Sequence, residues 1–304
     1  MAATPKSITL IGAGSLAHAL GPALRAAGYR IDAVVARNAA ESRRRAKLLA
    51  RKVGAQWRLL QDFKPAADIV WLLHTDDALG GTAETLAKTT GWRGRVVLHS
   101  SGALSSDVLA PLRRTGAHTG SLHPMMTFVP GTTPDMSKVP FAVEGDRQAI
   151  AAARQIVSKL GAEAFPIEKS SKVLYHALGS FSSPLIVATL VTAERVGRAA
   201  GLTLPQTRKV MAAILQQTLT NYLDRGPAAA FSGPIKRGDV ETVRRHLLDL
   251  RRVPEAQDVY RALVRSALRD LPSARKTEML RILEKNPTAD RRGSTRIRKN
   301  PKIS

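Results

Sequence analysis

The stretch Ile8-Thr9-Leu10-Ile11-Gly12-Ala13-Gly14-Ser15-Leu16-Ala17 decides the fold of this chain. Its first four residues form an apolar run typical of a buried strand, and apolar residues at helical spacing follow it. Gly12 permits a tight turn, Gly14 lets the backbone approach a pyrophosphate, and the small Ala17 permits close helix packing. The stretch predicts a Rossmann dinucleotide-binding domain, and the alternative is a glycine turn that binds nothing. The expected cofactor contacts are Gly12, Gly14, Ser15, Leu16 and Ala17.

The end of the next predicted strand, residues 31–36, indicates which dinucleotide would bind. An NAD site places an acidic group there to bind the ribose 2′-hydroxyl, whereas this chain has Arg37, followed by Asn38 and Ser42. A guanidinium group and further donors suit a 2′-phosphate. The sequence therefore predicts NADP as the cofactor. The three arginines at 43–45 extend this basic region, although a solvated helix face would explain them as well.

Length and composition indicate a globular protein of two domains. The chain has 304 residues, of which 44% are hydrophobic, and single cores rarely grow far beyond about 250 residues. We expect no signal peptide and no membrane anchor, because we find no uninterrupted apolar run of about 18 residues. The absence of cysteine excludes thiolate chemistry and disulfides and fits a reducing compartment, so a cytoplasmic location is expected.

The formal net charge of +23 raises the question of an acidic partner. Basic residues are scattered, aromatic residues make up only 4%, and no nucleic-acid-binding motif is present, so we expect no specific nucleic-acid site. The exception is the segment 287–304, which we expect to be a disordered basic tail. It would either contact polyanions nonspecifically or have no defined role. Its basic residues are Arg291, Arg292, Arg296, Arg298, Lys299 and Lys302.

Polar residues follow two further predicted strands, at residues 68–73 and 96–99. In an open parallel sheet these strand ends lie at the carboxyl edge, where ligands bind. Ser100 and Ser101 could instead be simple turn caps. The predicted cofactor contacts from these two loops are His74, Thr75, Ser100 and Ser101.

The pattern changes from strands to helices near residue 168. We predict a Rossmann NADP-binding domain over residues 1–168 and an all-helical substrate and dimerisation domain over 169–286, followed by the tail. Breaks between the predicted helices fall at glycine and proline residues. The predicted fold class is an α/β Rossmann domain followed by an all-α C-terminal domain.

Five motifs in this order resemble a known family, the Rossmann-like proteins that carry the C-terminal domain of unknown function 2520. The resemblance covers residues 7–270 and implies an NADP-dependent oxidoreductase. The implied architecture is that of pyrroline-carboxylate reductase, ketopantoate reductase and the β-hydroxyacid dehydrogenases, with a helical domain like that of 6-phosphogluconate dehydrogenase and a homodimer. The motifs are Gly12-Ala-Gly-Ser-Leu-Ala17, His99-Ser-Ser-Gly-Ala103, Ser121-Leu-His-Pro-Met125, Tyr175-His-Ala177 and Gly233-Pro-Ile-Lys-Arg-Gly-Asp239.

One position departs from the family pattern. The family usually has an Ala-Ser-Asn sequence after its Tyr-His pair, whereas this chain has Pro184 after Ser182 and Ser183. An amide donor is therefore lost, and either the substrate differs or the two hydroxyl groups replace the amide. Proline at this position also predicts a kink or a new helix start.

Three residues are candidates for proton transfer, since hydride transfer to a carbonyl or imine needs a donor near the heteroatom. His123 is expected in a loop at the domain junction, where it is either a site residue or a structural hydrogen-bonding group. Lys172 and His176 lie four residues apart, so they share one helical face that could point into the substrate cleft. Their spacing is similar to the Lys-x-x-x-Asn pair of β-hydroxyacid dehydrogenases, with the alternative that Lys172 is solvated and His176 only packs.

The remaining sequence patterns limit the reactions that the protein could catalyse. No histidine spacing suits a metal, and no nucleophile elbow surrounds Ser100. The segment 233–239 offers Lys236 and Arg237 to an anion, or else forms a helix junction with Asp239 as N-cap. We therefore predict hydride transfer between NADP(H) and a small, anionic carbonyl or imine compound. The alternative is a noncatalytic NADP-binding sensor whose basic surface contacts an acidic partner.

Overall fold

The computed structural model describes residues 6–132 and 134–284, so the predicted basic tail lies outside the described residues. The chain divides into two compact units, the first ending at Ser183 and the second beginning at Pro184. The sheet ends at Pro166, close to the predicted domain boundary at residue 168. The helix that follows the sheet belongs to the first unit.

The first unit contains an eight-stranded sheet in the order β3-β2-β1-β4-β5-β6-β7-β8. This is the Rossmann order with two strands added at one edge. All neighbouring strands are parallel except β6 and β7, which are antiparallel. The strands are β1 (Ser7–Ile11), β2 (Arg30–Ala36), β3 (Gln56–Leu59), β4 (Ile69–Leu72), β5 (Val96–His99), β6 (His118–Pro124), β7 (Pro140–Gly145) and β8 (Glu163–Pro166).

Helices cover both faces of this sheet. One apolar core joins α1, α2 and α5 to one face, and a second joins α3 and α4 to the other. The strands read as near-continuous apolar runs because both of their faces are buried. The helices of this unit are α1 (Ser15–Ala26), α2 (Ala40–Val53), α3 (Asp76–Ala87), α4 (Ala110–Arg114), α5 (Arg147–Lys159) and α6 (Lys172–Ser182).

The second unit is helical, as the sequence predicts. A small core of buried residues lies among α10, α11, α12 and α13. By contrast, α7 has no buried residue, and Thr207 is the buried residue of α8. The helices are α7 (Pro184–Ala199), α8 (Leu204–Arg225), α9 (Pro227–Ala230), α10 (Gly233–Arg237), α11 (Val240–Asp249), α12 (Ala256–Asp270) and α13 (Lys276–Glu284).

Local structure resolves three sequence expectations. A new helix does begin at Pro184, which confirms that prediction. His123 lies on β6 and not in a loop, because it is paired with Ala142 of β7 in the antiparallel ladder. The segment 233–239 contains α10 and the turn to α11: Gly238 ends α10 in the left-handed conformation, and Asp239 stands at the N-cap of α11 without a side-chain cap bond, because its carboxylate binds Arg237 at 2.7 Å. The anion site stays a prediction.

One stretch of the described chain, Lys169–Ala199, is long and apolar enough to cross a membrane by length and composition. This stretch is not the uninterrupted apolar run that the sequence lacks, because polar residues such as His176, Ser182 and Ser183 interrupt it. The stretch comprises α6 and α7, which are separated at Ser183. The side chain of Lys172 is fully buried in the first unit, so α6 is already part of a folded domain.

Candidate functional site

The turn after β1 requires glycine. Gly12 has φ +107°, and a Cβ placed on it would lie 2.6 Å from the carbonyl oxygen of Leu73. Its amide donates to the carbonyl of Val35 at 2.9 Å, which ties β1 to β2 at the carboxyl edge. Ala17, one turn into α1, is fully buried, as close packing of this helix requires.

A cavity of about 550 Å³ opens above this turn. Gly14 is the N-cap of α1 and offers no side-chain cap, so the first N–H groups of the helix are available to an anion. Ala17 and Ser101 do not line the cavity. The predicted cofactor residues that do line it are Gly12, Gly14, Ser15, Leu16, Arg37, His74, Thr75 and Ser100.

Basic residues lie where β2 leads into α2. Arg37 is exposed, and its Nε lies 3.2 Å from Ser42 Oγ, which orients the guanidinium group at the cavity wall. Arg44 binds Glu41 through two hydrogen bonds of 2.7 and 2.8 Å and belongs to the solvated face that the sequence allowed. Arg45 differs, because it lines the cavity. Arg44 therefore fits the alternative of a solvated helix face, whereas the half-buried Arg45 stays a candidate for a cofactor contact.

The side chains of His74 and Ser100 are held by neighbouring elements. His74 Nε2 lies 3.0 Å from Thr82 Oγ1, and burial lowers the pKa of this histidine. Ser100 Oγ accepts from Trp71 Nε1 at 2.8 Å and donates to the Leu122 carbonyl at 2.9 Å. Both residues thus present fixed polar groups to the cavity.

Ser101 has a different role from the predicted cofactor contact. Its side chain is buried, and its hydroxyl accepts from the backbone N–H groups of Ala103 at 3.2 Å and Leu104 at 2.8 Å. The structure therefore makes Ser101 a turn cap, the other interpretation that the sequence allowed. The physical reason is that the chain reverses directly after β5, which leaves these amides without partners in the sheet.

Lys172 reaches inward from the start of α6 toward this same turn. Its ammonium donates to the Ser101 carbonyl at 3.0 Å and to Ser121 Oγ at 2.7 Å, and Glu144 Oε1 lies 4.0 Å away. The side chain is fully buried, and desolvation lowers its pKa to about 8. Lys172 and His176 share a helical face as predicted, but the ammonium group is enclosed within the first unit.

Glu144 completes the surroundings of this lysine. Its two carboxylate oxygens accept from the backbone N–H and the hydroxyl of Ser106, both at 2.7 Å. These bonds satisfy a buried carboxylate that would otherwise be costly. The sequence patterns did not point to Glu144, and the available signal was a glutamate near the end of the short apolar strand β7.

His99 is a second buried polar group, which the sequence singled out only as the first residue of a family motif. Its Nδ1 accepts the Ser101 N–H at 3.1 Å, and burial together with the charge of Lys172 lowers its pKa to about 3. Its Nε2 has no hydrogen-bond partner among the described residues. His99 is thus neutral and fixes the turn that carries Ser101.

His123, Tyr175 and His176 form an aromatic cluster over Gly102. His123 Nδ1 lies 3.2 Å from the Tyr175 hydroxyl, and the rings of His123 and His176 meet at right angles with centroids 5.9 Å apart. A Cβ on Gly102 would lie 2.8 Å from His123 Nε2 and 2.4 Å from His176 Cδ2. A side chain at this position would therefore displace one or both imidazoles from this turn.

The electrostatics of the cluster follow from burial and from Lys172. Desolvation, followed by the charges of Lys172 and His176, lowers the pKa of His123 to about 4, and burial raises the pKa of Tyr175 to about 12. At neutral pH both groups are uncharged and able to exchange hydrogen bonds. In the described residues we find no group of three or more histidines and carboxylates that could hold a metal ion.

The fold and the glycine turn define a protein of the Rossmann class. A family model for a Rossmann-like domain matches residues 2–124, and the model for the domain of unknown function DUF2520 matches residues 139–267. The chain therefore belongs to the Rossmann-like proteins that carry a DUF2520 domain. A search of curated protein sequences gave no match.

Solved structures support the same architecture. A protein from Bacteroides fragilis, proposed to be an NADP oxidoreductase, is 25% identical, with a TM-score of 0.73, and the match covers 86% of this chain and 98% of that one. A protein from Thermotoga maritima is 20% identical with a TM-score of 0.67, covering 91% and 98%. An imine reductase from Myxococcus stipitatus, solved in complex with NADP+, is 18% identical with a TM-score of 0.60, covering 86% and 94%. The last two show the fold alone.

Proposed function

We propose that this protein is an NADP-dependent oxidoreductase that transfers a hydride between NADP(H) and a small, anionic carbonyl or imine compound. One observation carries the proposal. The turn after β5 joins the two parts of the site, since Ser100 lines the dinucleotide cavity and Gly102 lies against His123 and His176. A substrate at this turn would lie beside the nicotinamide end of the cofactor.

Two observations support NADP. Arg37 stands where an NAD site has a carboxylate, and its guanidinium group is held at the cavity wall by Ser42. The Bacteroides fragilis protein is described as an NADP oxidoreductase, and the imine reductase structure contains NADP+. When bound, the cofactor would supply the hydride, and the first turn of α1 would hold its pyrophosphate.

The charges near the turn favour an anionic substrate. The Lys172 ammonium is buried behind the Ser101 carbonyl, with Glu144 4.0 Å away on its other side, and its positive charge contributes to the low pKa of both His99 and His123. A positive potential in a water-poor region attracts a carboxylate and disfavours cations. Lys172 would act on the substrate indirectly, by fixing the turn at Ser101 and by its electric field, because protein groups already enclose its ammonium group.

His123 is the proposed proton donor or hydrogen-bonding group at the reacting heteroatom. Tyr175 engages its Nδ1, so Nε2 is left for the substrate. A bound carboxylate nearby would raise the pKa of His123 from its low value, because an opposite charge favours the imidazolium form. The substrate would thus help to create the acid that its own reduction needs.

NADPH oxidation with a panel of 2-keto acids and cyclic imine carboxylates tests the proposal. We expect turnover with at least one compound and a loss of about 100-fold or more in His123→Gln, with NADPH binding retained. His246→Gln is a matched control, since His246 Nδ1 bonds the hydroxyl of Tyr260 at 3.0 Å in the second unit. A panel without turnover, together with tight NADPH binding, would favour the noncatalytic sensor instead.

We further propose that the protein is a cytoplasmic homodimer formed through α7 and α8. Ile214, Leu219 and Leu223 of α8 are 61%, 59% and 70% exposed, and large exposed apolar surfaces mark interaction sites. A second copy would cover this surface by the same helices around a two-fold axis. The charged residues Glu194 and Arg195 of α7 suit a protein interface better than lipid.

A further inference from the structure

Glu144 is a buried carboxylate on β7, and it does not line the dinucleotide cavity. A carboxylate in the core is costly unless hydrogen bonds and an opposite charge compensate for the lost water. Its two partners are Ser106, four residues beyond Gly102, and Lys172. Both partners lead to the turn that carries the reacting groups of the proposed site.

The contact with Ser106 fixes the far end of this turn. The two carboxylate oxygens accept from the backbone N–H and the hydroxyl of Ser106, both at 2.7 Å, and Ser106 is itself buried. The segment 101–106 that ends here includes Gly102, on which the imidazoles of the aromatic cluster pack. Hydrogen bonds to an ionised acceptor are stronger than those between neutral groups, so Glu144 restrains this segment at Ser106.

The contact with Lys172 reaches the near end of the same segment. The ammonium donates to the Ser101 carbonyl at 3.0 Å and to Ser121 Oγ at 2.7 Å. Glu144 Oε1 lies 4.0 Å from Lys172 Nζ, which is an ion-pair distance and too long for a hydrogen bond. Ser121 and Glu144 are partners in the β6–β7 ladder, so the sheet holds both groups beside the lysine. Glu144 thus acts directly at Ser106 and, through the lysine, at Ser101.

The titratable groups around the ammonium lie on four elements. Burial is the largest cause that brings the pKa of Lys172 down to about 8, and the negative charges of Glu144 on β7 and Asp76 on α3 act in the opposite direction. His99 on β5 and His123 on β6 have low pKa values, so they are neutral beside the lysine. Among the described residues, Glu144 is the acid that forms an ion pair with Lys172. Without its charge, the pKa of Lys172 would fall further and the ammonium would lose its proton at lower pH.

We propose that Glu144 is a positioning residue for the hydride-transfer reaction: it holds the turn after β5 at both ends, and it keeps Lys172 charged so that an anionic substrate is attracted to this turn. The inference rests on the proposed function and deepens it. In this role Glu144 contacts neither substrate nor cofactor. A purely structural glutamate would hold Ser106 but would not set the pH at which the lysine loses its charge.

Glu144→Gln separates the charge from the shape. The amide oxygen can still accept from the Ser106 N–H, and the amide nitrogen can donate to the Ser106 hydroxyl, whereas the negative charge is lost. Ser106→Ala is the complementary variant, because it removes one hydrogen bond and keeps the charge. Glu163→Gln on β8 is the matched control, since it makes the same chemical change at an exposed glutamate. The measurements are kcat and KM for an anionic compound of the panel, over a pH range on both sides of about 8.

The pH at which KM rises is the decisive quantity. In the wild-type protein KM should rise as the pH increases through about 8, because the ammonium loses its proton. In Glu144→Gln this rise should occur at lower pH, so KM at neutral pH should increase by about tenfold. Ser106→Ala should lower kcat and leave the rise of KM near its wild-type pH. A rise at the wild-type pH in Glu144→Gln, an equal displacement in Ser106→Ala, or a wild-type KM that does not change in this range overturns the proposal.

Urea unfolding at several pH values gives a second readout that needs no substrate. The free energy of unfolding should begin to rise at a lower pH in Glu144→Gln than in the wild-type protein, because the folded-state pKa of Lys172 lies further below its unfolded value of 10.5. A panel without turnover contradicts the proposed function, whereas these curves still test whether Glu144 keeps Lys172 charged. An onset that does not move in Glu144→Gln overturns the control of the lysine by Glu144, whatever the activity.

A double variant covers the case in which Glu144→Gln does not fold, since it leaves a buried ammonium without its partner. Glu144→Gln combined with Lys172→Met contains neither charge and should fold, with the same pH dependence of stability as Lys172→Met alone. If the double variant fails to fold although Lys172→Met folds, Glu144 acts independently of the lysine, and the proposal is wrong.

Discussion

Tyr175 fixes the orientation of His123. Its hydroxyl oxygen lies 3.2 Å from Nδ1, and the two rings meet edge to face with centroids 5.5 Å apart. Because Nδ1 is engaged, Nε2 is the nitrogen that faces the turn at Gly102. An interaction between α6 and β6 therefore decides which nitrogen of this imidazole is available for chemistry.

Tyr175→Phe removes this hydrogen bond and keeps the ring. We expect the rate of NADPH oxidation to fall by about tenfold to 100-fold, because a misoriented donor loses alignment with the substrate. The affinity for NADPH should not change. Stopped-flow measurement of the hydride step and a binding titration check the two expectations. The control is Tyr260→Phe, which breaks the other His–Tyr pair and should leave both the rate and the NADPH affinity unchanged. An equal loss of rate in Tyr260→Phe would contradict a specific role of Tyr175 in the site.

Gly102→Ala places a methyl group 2.4 Å from His176 Cδ2 and 2.8 Å from His123 Nε2. The imidazoles must move, so we expect turnover to fall by about 100-fold. NADPH binding should persist, because Gly102 does not line the dinucleotide cavity.

The double variant Gly102→Ala with His176→Ala tests the steric explanation. Removing the His176 ring makes room for the new methyl group, so part of the activity should return if His176 is not itself the proton donor. No recovery, together with an inactive His176→Ala single variant, would instead assign the proton transfer to His176. Steady-state rates of the three variants decide between the two outcomes.

Lys172 makes the stability of the protein depend on pH. Its pKa is about 8 in the folded protein and near its ordinary value of 10.5 in the unfolded chain, so the unfolded chain binds more protons between these values. The free energy of unfolding should therefore rise as the pH increases from about 8 to 10.5. Urea unfolding at several pH values should show this rise in the wild-type protein. The rise should be smaller in Lys172→Met than in Lys169→Met, whose lysine is exposed.

Arg37→Asp should reverse the cofactor preference. The new carboxylate repels a 2′-phosphate and accepts a hydrogen bond from a ribose 2′-hydroxyl, so NADPH affinity should fall and NADH affinity should rise. Titration with NADPH and with NADH gives the ratio of the two affinities. The control Arg44→Asp alters an arginine that is engaged by Glu41. An unchanged ratio in Arg37→Asp would show that Arg37 does not contact the cofactor.

Ile214→Glu combined with Leu219→Glu should convert the proposed dimer into a monomer, because two buried carboxylates would face each other across the interface. Light scattering after size-exclusion chromatography measures the mass. Leu263→Glu on α12 is the control, since Leu263 is also exposed but lies outside α7 and α8. A monomeric wild-type protein would contradict the proposal directly.

The local motifs were the most predictable part of this protein. Some features depend on a few neighbouring residues and could be predicted from the sequence. They are the glycine turn, the polar ends of β4 and β5 and the helix start at Pro184. The strand position of His123 could not be predicted, because β6 is defined by its pairing with β5 and β7 and not by its own pattern. The role of Ser101 likewise depended on where the chain turns after β5.

The sequence by itself determined the Rossmann order of elements, the glycine turn and the change to helices, because apolar periodicity and backbone freedom act over short distances along the chain. Only the tertiary structure decided that Lys172 is enclosed by Ser101, Ser121 and Glu144, and that His123 and His176 meet over Gly102. Those contacts join residues far apart in sequence. Burial and partner geometry, which set their charge and reactivity, exist only in the folded chain.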